Sequence, residues 1–220
     1  MSTHGPARVL SLAALALSGC AFFGKSEPLS PRFYDPSVSS TASASSPATM
    51  RKELRLGRVV GASHLRERIA YRKSEQELGF YEQRRWTERP EAYVRRALAR
   101  SIFQERGVLQ VVSGVAPTLE VELTRFEEVL APSHAVRIEA QVALLDVRSV
   151  RFERTFTAEQ AISEDEFDAV AAGMSVALER VVAEISERVV AEIESGIPTT
   201  AEPDVMPATP NAPGPQPTVR

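Results

Sequence analysis

The chain has 220 residues, of which 43% are hydrophobic and 25% are charged, and its formal net charge is -3. This composition is ordinary for a globular protein, and the length fits one domain of roughly 100–200 residues with appendages. The charge gives no indication of a nucleic-acid partner, which would need a basic surface. The single cysteine, Cys20, cannot form an intramolecular disulfide, so the domain must be stabilised by its own core.

Residues 1–19 have the parts of an export signal. A basic start at Arg8 precedes an apolar run at 9–17, which is shorter than the about 20 residues that cross a bilayer. The run ends in Leu-Ser-Gly-Cys, which resembles the lipobox of bacterial lipoproteins. The resemblance predicts cleavage between Gly19 and Cys20 and attachment of lipid to the thiol of Cys20. The alternative is an ordinary buried cysteine after an apolar helix, which leaves the basic and small flanking residues unexplained.

The residue after the lipidation site bears on the membrane that holds the protein. In enteric bacteria an aspartate at this position tends to retain a lipoprotein in the inner membrane. This chain has Ala21 there, so we expect a lipid anchor in the outer membrane, on its periplasmic face. Lipoproteins of this class carry several acyl chains, and two membrane signals suffice for stable anchoring.

Composition divides the mature chain into three parts. Residues 20–50 are rich in Ser, Thr and Ala and predict a flexible tether, with a first short strand at Phe33 and Tyr34. Residues 51–197 predict the folded domain. Residues 198–220 are rich in Pro, Thr and Ala and predict a disordered tail.

Alternation of apolar and polar residues predicts most of the strands. Such runs lie at 54–60, 119–124, 136–144 and 150–156, and two short runs at 69–72 and 78–81 flank a polar turn and predict a hairpin. Period-two alternation places one face inward and the other in water. We therefore predict an antiparallel sheet of about five or six strands that is covered on one side.

Two helices are predicted to cover that side, which gives an α+β fold. The first runs from about 87 to 105, with Pro90 in its first turn and Gly107 as its stop signal. The second begins with a capping box of Ser163 and Glu166, and an apolar stripe follows at spacings of three and four. Its length also allows a coiled-coil interpretation, although packing across a sheet is the commoner use.

The sequence lacks the usual catalytic motifs. It contains no G-x-S-x-G elbow, no phosphate-binding G-x-x-x-x-G-K-[ST] loop and no H-E-x-x-H zinc motif. The adjacent Ser63 and His64 are more simply a turn, and His134 follows a loop proline. We therefore expect no enzyme activity, no metal and no cofactor.

Arginines are concentrated in one third of the chain. Their simplest interpretation is a solvated face, and the functional alternative is a patch for lipid phosphates or an acidic partner. The candidate residues for such a patch are Arg84, Arg85, Arg95, Arg96 and Arg100.

The order of these elements resembles a known family over about residues 32–193. The anchor segments are LRERIAYR at 65–72, LGFY at 78–81, RW at 85–86, VRRAL at 94–98 and LEVELTRF at 119–126, followed by two strands and a long helix. This pattern is similar to the ABC-type transport auxiliary lipoproteins, which include the PqiC (YmbA) group. The Ser/Thr/Ala-rich insert and the Pro-rich tail depart from the family pattern.

The resemblance implies a non-catalytic component of a lipid transport system. Family members accompany an ABC ATPase, a permease and a periplasmic MCE-domain protein, which the lipoprotein is thought to dock. Two other functions stay open: a carrier that itself binds phospholipid, and a structural or enzyme-activating lipoprotein of the cell envelope. The sequence leaves the oligomeric state open, including a homo-oligomer.

Overall fold

A computed structural model describes residues 30–37, 52–163 and 166–195. The predicted signal, the lipobox cysteine and the predicted tail lie outside these residues. Within them the chain forms a sheet and two α-helices, which confirms the predicted α+β class. The strands are β1 (Arg32–Tyr34), β2 (Glu53–Gly61), β3 (Arg68–Arg72), β4 (Leu78–Trp86), β5 (Leu109–Gln110), β6 (Thr118–Val129), β7 (Ala135–Leu145) and β8 (Val150–Ala161). The helices are α1 (Pro90–Ala99), a π-helical extension of it (Arg100–Glu105), and α2 (Phe167–Ser195).

The sheet is mixed, whereas the sequence predicted a purely antiparallel one. On one side of β6, β2 and β3 follow one another and both run parallel to it. On the other side β7 and then β8 are antiparallel neighbours. The predicted hairpin of β3 and β4 is present, and β1 adds to β4 in parallel. Alternation reports which face of a strand is buried but not the direction of its neighbours, so it could not reveal these parallel pairs.

A bulge in β6 changes which residues face the helices. Leu119, Val121 and Leu123 are buried on the helix-covered face, and the register with β7 shifts after Leu123. Beyond the shift Phe126 and Glu128 occupy that face instead. A β-bulge inserts one extra residue and therefore exchanges the two faces of the strand that follows.

The first helix begins at Pro90, a residue favoured at the first helical position because it has no N–H to leave unpaired. After Ala99 the backbone continues as a π-helix, and Gly107 ends the region with a φ of 68°. Glycine adopts this left-handed conformation without the Cβ clash of other residues, so the predicted stop is confirmed.

The second helix packs across β7 and β8. This confirms the predicted packing on the sheet and not the coiled-coil alternative. It begins at Phe167, so Glu166 precedes its first residue, and the capping box predicted from Ser163 does not have the expected register. Its buried residues form the predicted apolar stripe, which runs from Phe167 to Ile193. No helix in the described part of the chain is long and apolar enough to cross a membrane.

Candidate functional site

The structure separates the five candidate arginines. Arg84, in β4, stacks its guanidinium on two aromatic rings, 4.6 Å from the centroid of Tyr81 and 4.2 Å from that of Phe167. Arg85 follows it in the strand, opposite Phe33 of β1 and Arg68 of β3. The Arg84 contacts hold the start of α2 against the sheet, so this part of the predicted patch has a structural role.

Arg95 also connects two elements. Its Nη1 donates a hydrogen bond of 2.8 Å to the carbonyl oxygen of Gly57 in β2. A Cβ at position 57 would lie only 2.7 Å from Cγ2 of Thr118 on the neighbouring strand, so the close approach of the two strands favours glycine there. Arg95 therefore joins α1 to an irregular part of β2, where the register between β2 and β6 shifts.

Arg96 and Arg100 lie one helical turn apart and line a groove of about 260 Å³ between α1, α2 and the segment after β1. The other lining residues are Tyr93 and Ala97 of α1, Leu178 of α2, and Asp35, Pro36 and Ser37. Of the predicted patch, only these two arginines share one concave surface. Arg100 is also the first residue of the π-helical extension, a kind of irregularity that is frequent at functional sites.

The electrostatics of the groove are mixed. Nη1 of Arg96 lies 2.8 Å from a carboxylate oxygen of Glu88, and Nε of Arg100 lies 3.3 Å from one of Glu105. Asp35 adds a carboxylate to the rim, while the floor includes Ala97 and Leu178. Guanidinium groups beside an apolar floor suit an amphiphile with an anionic head, provided that the head competes with these carboxylates.

A second polar cluster lies near the start of α2. The carboxylate of Glu128, which is 3% exposed, accepts a hydrogen bond of 2.7 Å from the Tyr81 hydroxyl and lies 2.6 Å from Nε2 of His134. Burial raises the pKa of the Tyr81 hydroxyl well above its usual range, and the bond to Glu128 adds to the effect. The phenol therefore stays protonated, and the cluster joins β4, β6 and the β6–β7 turn.

Aromatic rings surround this cluster. Tyr34 of β1 and Tyr81 each meet Phe167 edge to face, with centroids 4.5 and 5.4 Å apart, and Tyr71 lies 4.9 Å from Tyr81. Trp86 is 1% exposed and packs against Phe126 at 5.4 Å, so it is a core residue and not an exposed contact. The cluster is a structural junction, because its polar groups already bond one another.

The sequence did not predict the buried cluster of Glu128 and His134, and it placed His134 only in a loop after a proline. One signal was present: two adjacent glutamates, 127 and 128, lie near the end of the predicted strand region that begins with alternating apolar and polar residues. Such a doublet places one carboxylate on each face of the sheet, so at least one must find buried partners.

The described residues contain no cluster that could hold a metal ion and no bonded Ser63–His64 pair. No three side chains of His, Cys, Asp or Glu there are close enough to hold a metal ion. Nε2 of His64 is buried and forms no hydrogen bond to any described residue, the adjacent Ser63 included.

Comparisons with known proteins identify a family and proteins of similar fold. The model of the family "ABC-type transport auxiliary lipoprotein component" matches residues 34–186. A Xanthomonas campestris protein classed as DUF330 has a similar structure, with a TM-score of 0.65 and 24% identity over 74% of this chain and 98% of that one. An uncharacterized protein gives a TM-score of 0.60 at 17% identity, covering 73% of this chain and 99% of its own.

A hypothetical protein of Chlamydia trachomatis has a TM-score of 0.50 at 10% identity, over 66% of this chain and 99% of that one. At these identities the structural matches establish the fold alone. No curated protein matches the sequence significantly. The family match spans β2 to β8, both helices up to residue 186, and all the candidate arginines, so the chain belongs to the family of ABC-type transport auxiliary lipoprotein components.

Proposed function

We propose that the protein is a lipid-anchored, non-catalytic component of an ABC/MCE-type lipid transport system and docks the periplasmic MCE-domain protein at the outer membrane. The observation that carries this proposal is the family match over residues 34–186, which covers nearly the whole described domain. The lipobox at Cys20 supplies the anchor, and the permease and ATPase of the system are the further partners.

The position of the first strand supports docking close to the membrane. β1 begins at Arg32, so only residues 21–31 separate the domain from Cys20. At about 3.5 Å per residue, even a fully extended segment of this length reaches about 40 Å. A domain held within that distance is placed to receive a partner at the membrane surface.

The anchor is tested by labelling cells with a radioactive fatty acid and comparing the parent chain with Cys20→Ala. We expect label on the parent chain in the outer-membrane fraction and none on the variant. Purification from membranes at natural expression then tests the partner. Recovery of an MCE-domain protein with the parent chain supports docking, and its absence contradicts it.

The groove favours one alternative, a carrier that itself binds phospholipid. Arg96 and Arg100 flank an apolar floor there, which suits an anionic headgroup with its chains. Lipid extracted from the purified full-length protein, identified by mass spectrometry, tests this function. The variant R96A/R100A should lose noncovalent anionic phospholipid while R95A, changed on the same helix outside the groove, keeps it. Equal amounts in both variants would exclude the groove.

The remaining alternative is a structural or enzyme-activating lipoprotein of the envelope, for example a partner of peptidoglycan synthesis. The Pro-rich segment 198–220 is the feature that suits it, because an extended tail can reach a distant partner. Deleting this segment with loss of a peptidoglycan-enzyme contact would favour that function over docking.

A further inference from the structure

One edge of the sheet is long and unpaired. β8 has 12 residues, and in the described structure it pairs with β7 alone. The opposite side of the sheet ends in β1 and β5, which have 3 and 2 residues. A long edge strand presents a row of free backbone N–H and C=O groups, which is a template for another strand.

Two hydrogen bonds show which residues of β8 direct their backbone N–H and C=O groups toward the free edge. The N–H of Ile162, the residue after β8, donates to the carbonyl of His134 at 2.9 Å. The backbone N–H and C=O groups of even-numbered residues in β8 therefore point toward β7. The carbonyl of Glu159 instead accepts from Nη1 of Arg180 at 3.0 Å, on the other side. Backbone groups alternate along a strand, so positions 153, 155, 157 and 159 present theirs at the edge.

We propose that β8 pairs antiparallel with β8 of a second copy, about a twofold axis that passes between the two Thr155 residues. The short strands β1 and β5 cannot match a strand of this length, whereas β8 matches itself. A twofold axis of this kind is perpendicular to the sheet, so the helices of both copies lie on the same face of one continuous sheet.

Charge selects this register among those that overlap most of the strand. Centring the pair on Arg154 places two arginines opposite each other, and centring it on Phe156 places Glu153 opposite Glu159. Both arrangements oppose like charges, which is destabilising. Centring the pair on Thr157 places no acidic residue across from a basic one.

Centring the pair on Thr155 gives the complementary arrangement. Arg151 then lies opposite Glu159 of the second copy, and Glu153 lies opposite Thr157. Within one chain Arg151 already pairs with Asp146 and Glu159 with Arg137, both at 2.9 Å, so the pair across the edge extends these ion pairs. Arg154 lies opposite Phe156, a ring that its guanidinium already approaches at 5.4 Å within one chain. Opposite-charge and cation–aromatic pairs across strands each stabilise pairing.

Edge pairing buries little surface, so the dimer is expected to be weak between free copies. Two copies held at one membrane surface have a high effective concentration, which offsets a low intrinsic affinity. The test is therefore made on the full chain in intact cells. Arg180 must release the Glu159 carbonyl as the strands pair, and its side chain is exposed enough to do so.

The experiment places one cysteine on the edge and measures disulfide-linked dimer without added oxidant. In T155C the two Cα atoms would be about 5.5 Å apart, a separation that a disulfide spans. In T157C, the matched control, they would be about 14 Å apart, because four residues at about 3.4 Å each separate them along the strand. Both threonines are exposed on the same strand, and the parent chain gives the baseline for Cys20.

We expect a dimer with T155C well above the T157C and parent levels. No dimer with T155C, or equal dimer with T157C, overturns the proposal. Charge reversal gives a second measurement: R151E in the T155C chain should reduce the dimer several-fold, whereas D146A, which removes only the partner of Arg151 within the chain, should leave it unchanged. An unchanged yield in R151E overturns the register.

Discussion

Arg72 binds the carboxylate of Glu127 through two hydrogen bonds, from Nε to Oε1 at 2.6 Å and from Nη2 to Oε2 at 3.0 Å. The Glu127 side chain is 0% exposed, and that of Arg72 is 13% exposed. The hydrogen bond to the carboxylate raises the pKa of Arg72. The pair lies on the sheet face opposite the helices and joins β3 to the end of β6.

Removing Arg72 should strongly destabilise the fold. In Arg72→Ala the buried Glu127 keeps only the longer contact to Arg125 at 3.3 Å. Breaking a buried ion pair by deleting one partner costs about 3–5 kcal/mol, because the remaining charge stays buried with less compensation. Urea unfolding should show a loss of this size in the free energy of unfolding.

Arg137→Ala is the matched control on the same sheet face. Arg137 pairs with Glu159 at 2.9 Å, but the Glu159 side chain is 44% exposed. Exposed pairs contribute about 0–1 kcal/mol, so the loss should be small. Equal losses in the two variants would show that burial of Glu127 does not decide the cost.

Tyr81 should make stability fall at alkaline pH. Its folded-state pKa is raised by burial and by Glu128 above the ordinary value of 10.0, so the folded protein keeps a proton that the unfolded chain releases. The stabilisation is complete below pH 10 and is lost as the pH rises from there toward the folded-state pKa. One such group gives a slope of up to about 1.4 kcal/mol per pH unit.

Tyr81→Phe removes the titrating hydroxyl and should flatten this slope. The variant should also be less stable near neutral pH by about 1–2 kcal/mol, since Glu128 loses one hydrogen bond. Unfolding by urea between pH 8 and 11 measures both effects. Because Tyr93 also has a raised pKa, part of the alkaline loss should persist. An identical slope in parent and variant would contradict the assignment to Tyr81.

Ser186→Ala should stabilise the protein. The Ser186 hydroxyl is buried in the α2 core at 0% exposure and has no hydrogen-bond partner among the described residues. Alanine removes the unsatisfied group and favours the helix, a gain of about 0.5–1 kcal/mol. The control is Ser175→Ala, whose hydroxyl donates to the Ala171 carbonyl at 3.0 Å. Thermal melts that show Ser186→Ala at or below the parent would contradict the expectation.

The sequence predicted the parts of the fold that depend on local periodicity. In β7 every apolar position of the alternating run, from Val136 to Leu144, is buried as expected. The long helix follows its stripe for the same reason, because side-chain position on a regular element is fixed by spacing alone.

Features that depend on irregular backbone or distant partners could not be predicted. The bulge after Leu123 exchanges the faces of β6, and the change of apolar spacing from two to three between Leu123 and Phe126 does not by itself identify a bulge. The arginine patch was predicted from proximity in sequence. In the structure Arg84 and Arg95 contact separate elements, whereas Arg96 and Arg100 line one groove. The partners of Glu128 come from β4 and from the β6–β7 turn, and only the tertiary fold brings these together.

Crosslinking in intact cells tests the proposed docking function most directly. The protein would be expressed at its natural level, treated with a membrane-permeant crosslinker, purified, and its partners identified by mass spectrometry. Docking predicts that an MCE-domain protein is crosslinked to the domain. The crosslinked product should be lost in Cys20→Ala, which removes the anchor. Recovery only of peptidoglycan enzymes or general envelope proteins would contradict docking and leave the family membership as a shared fold.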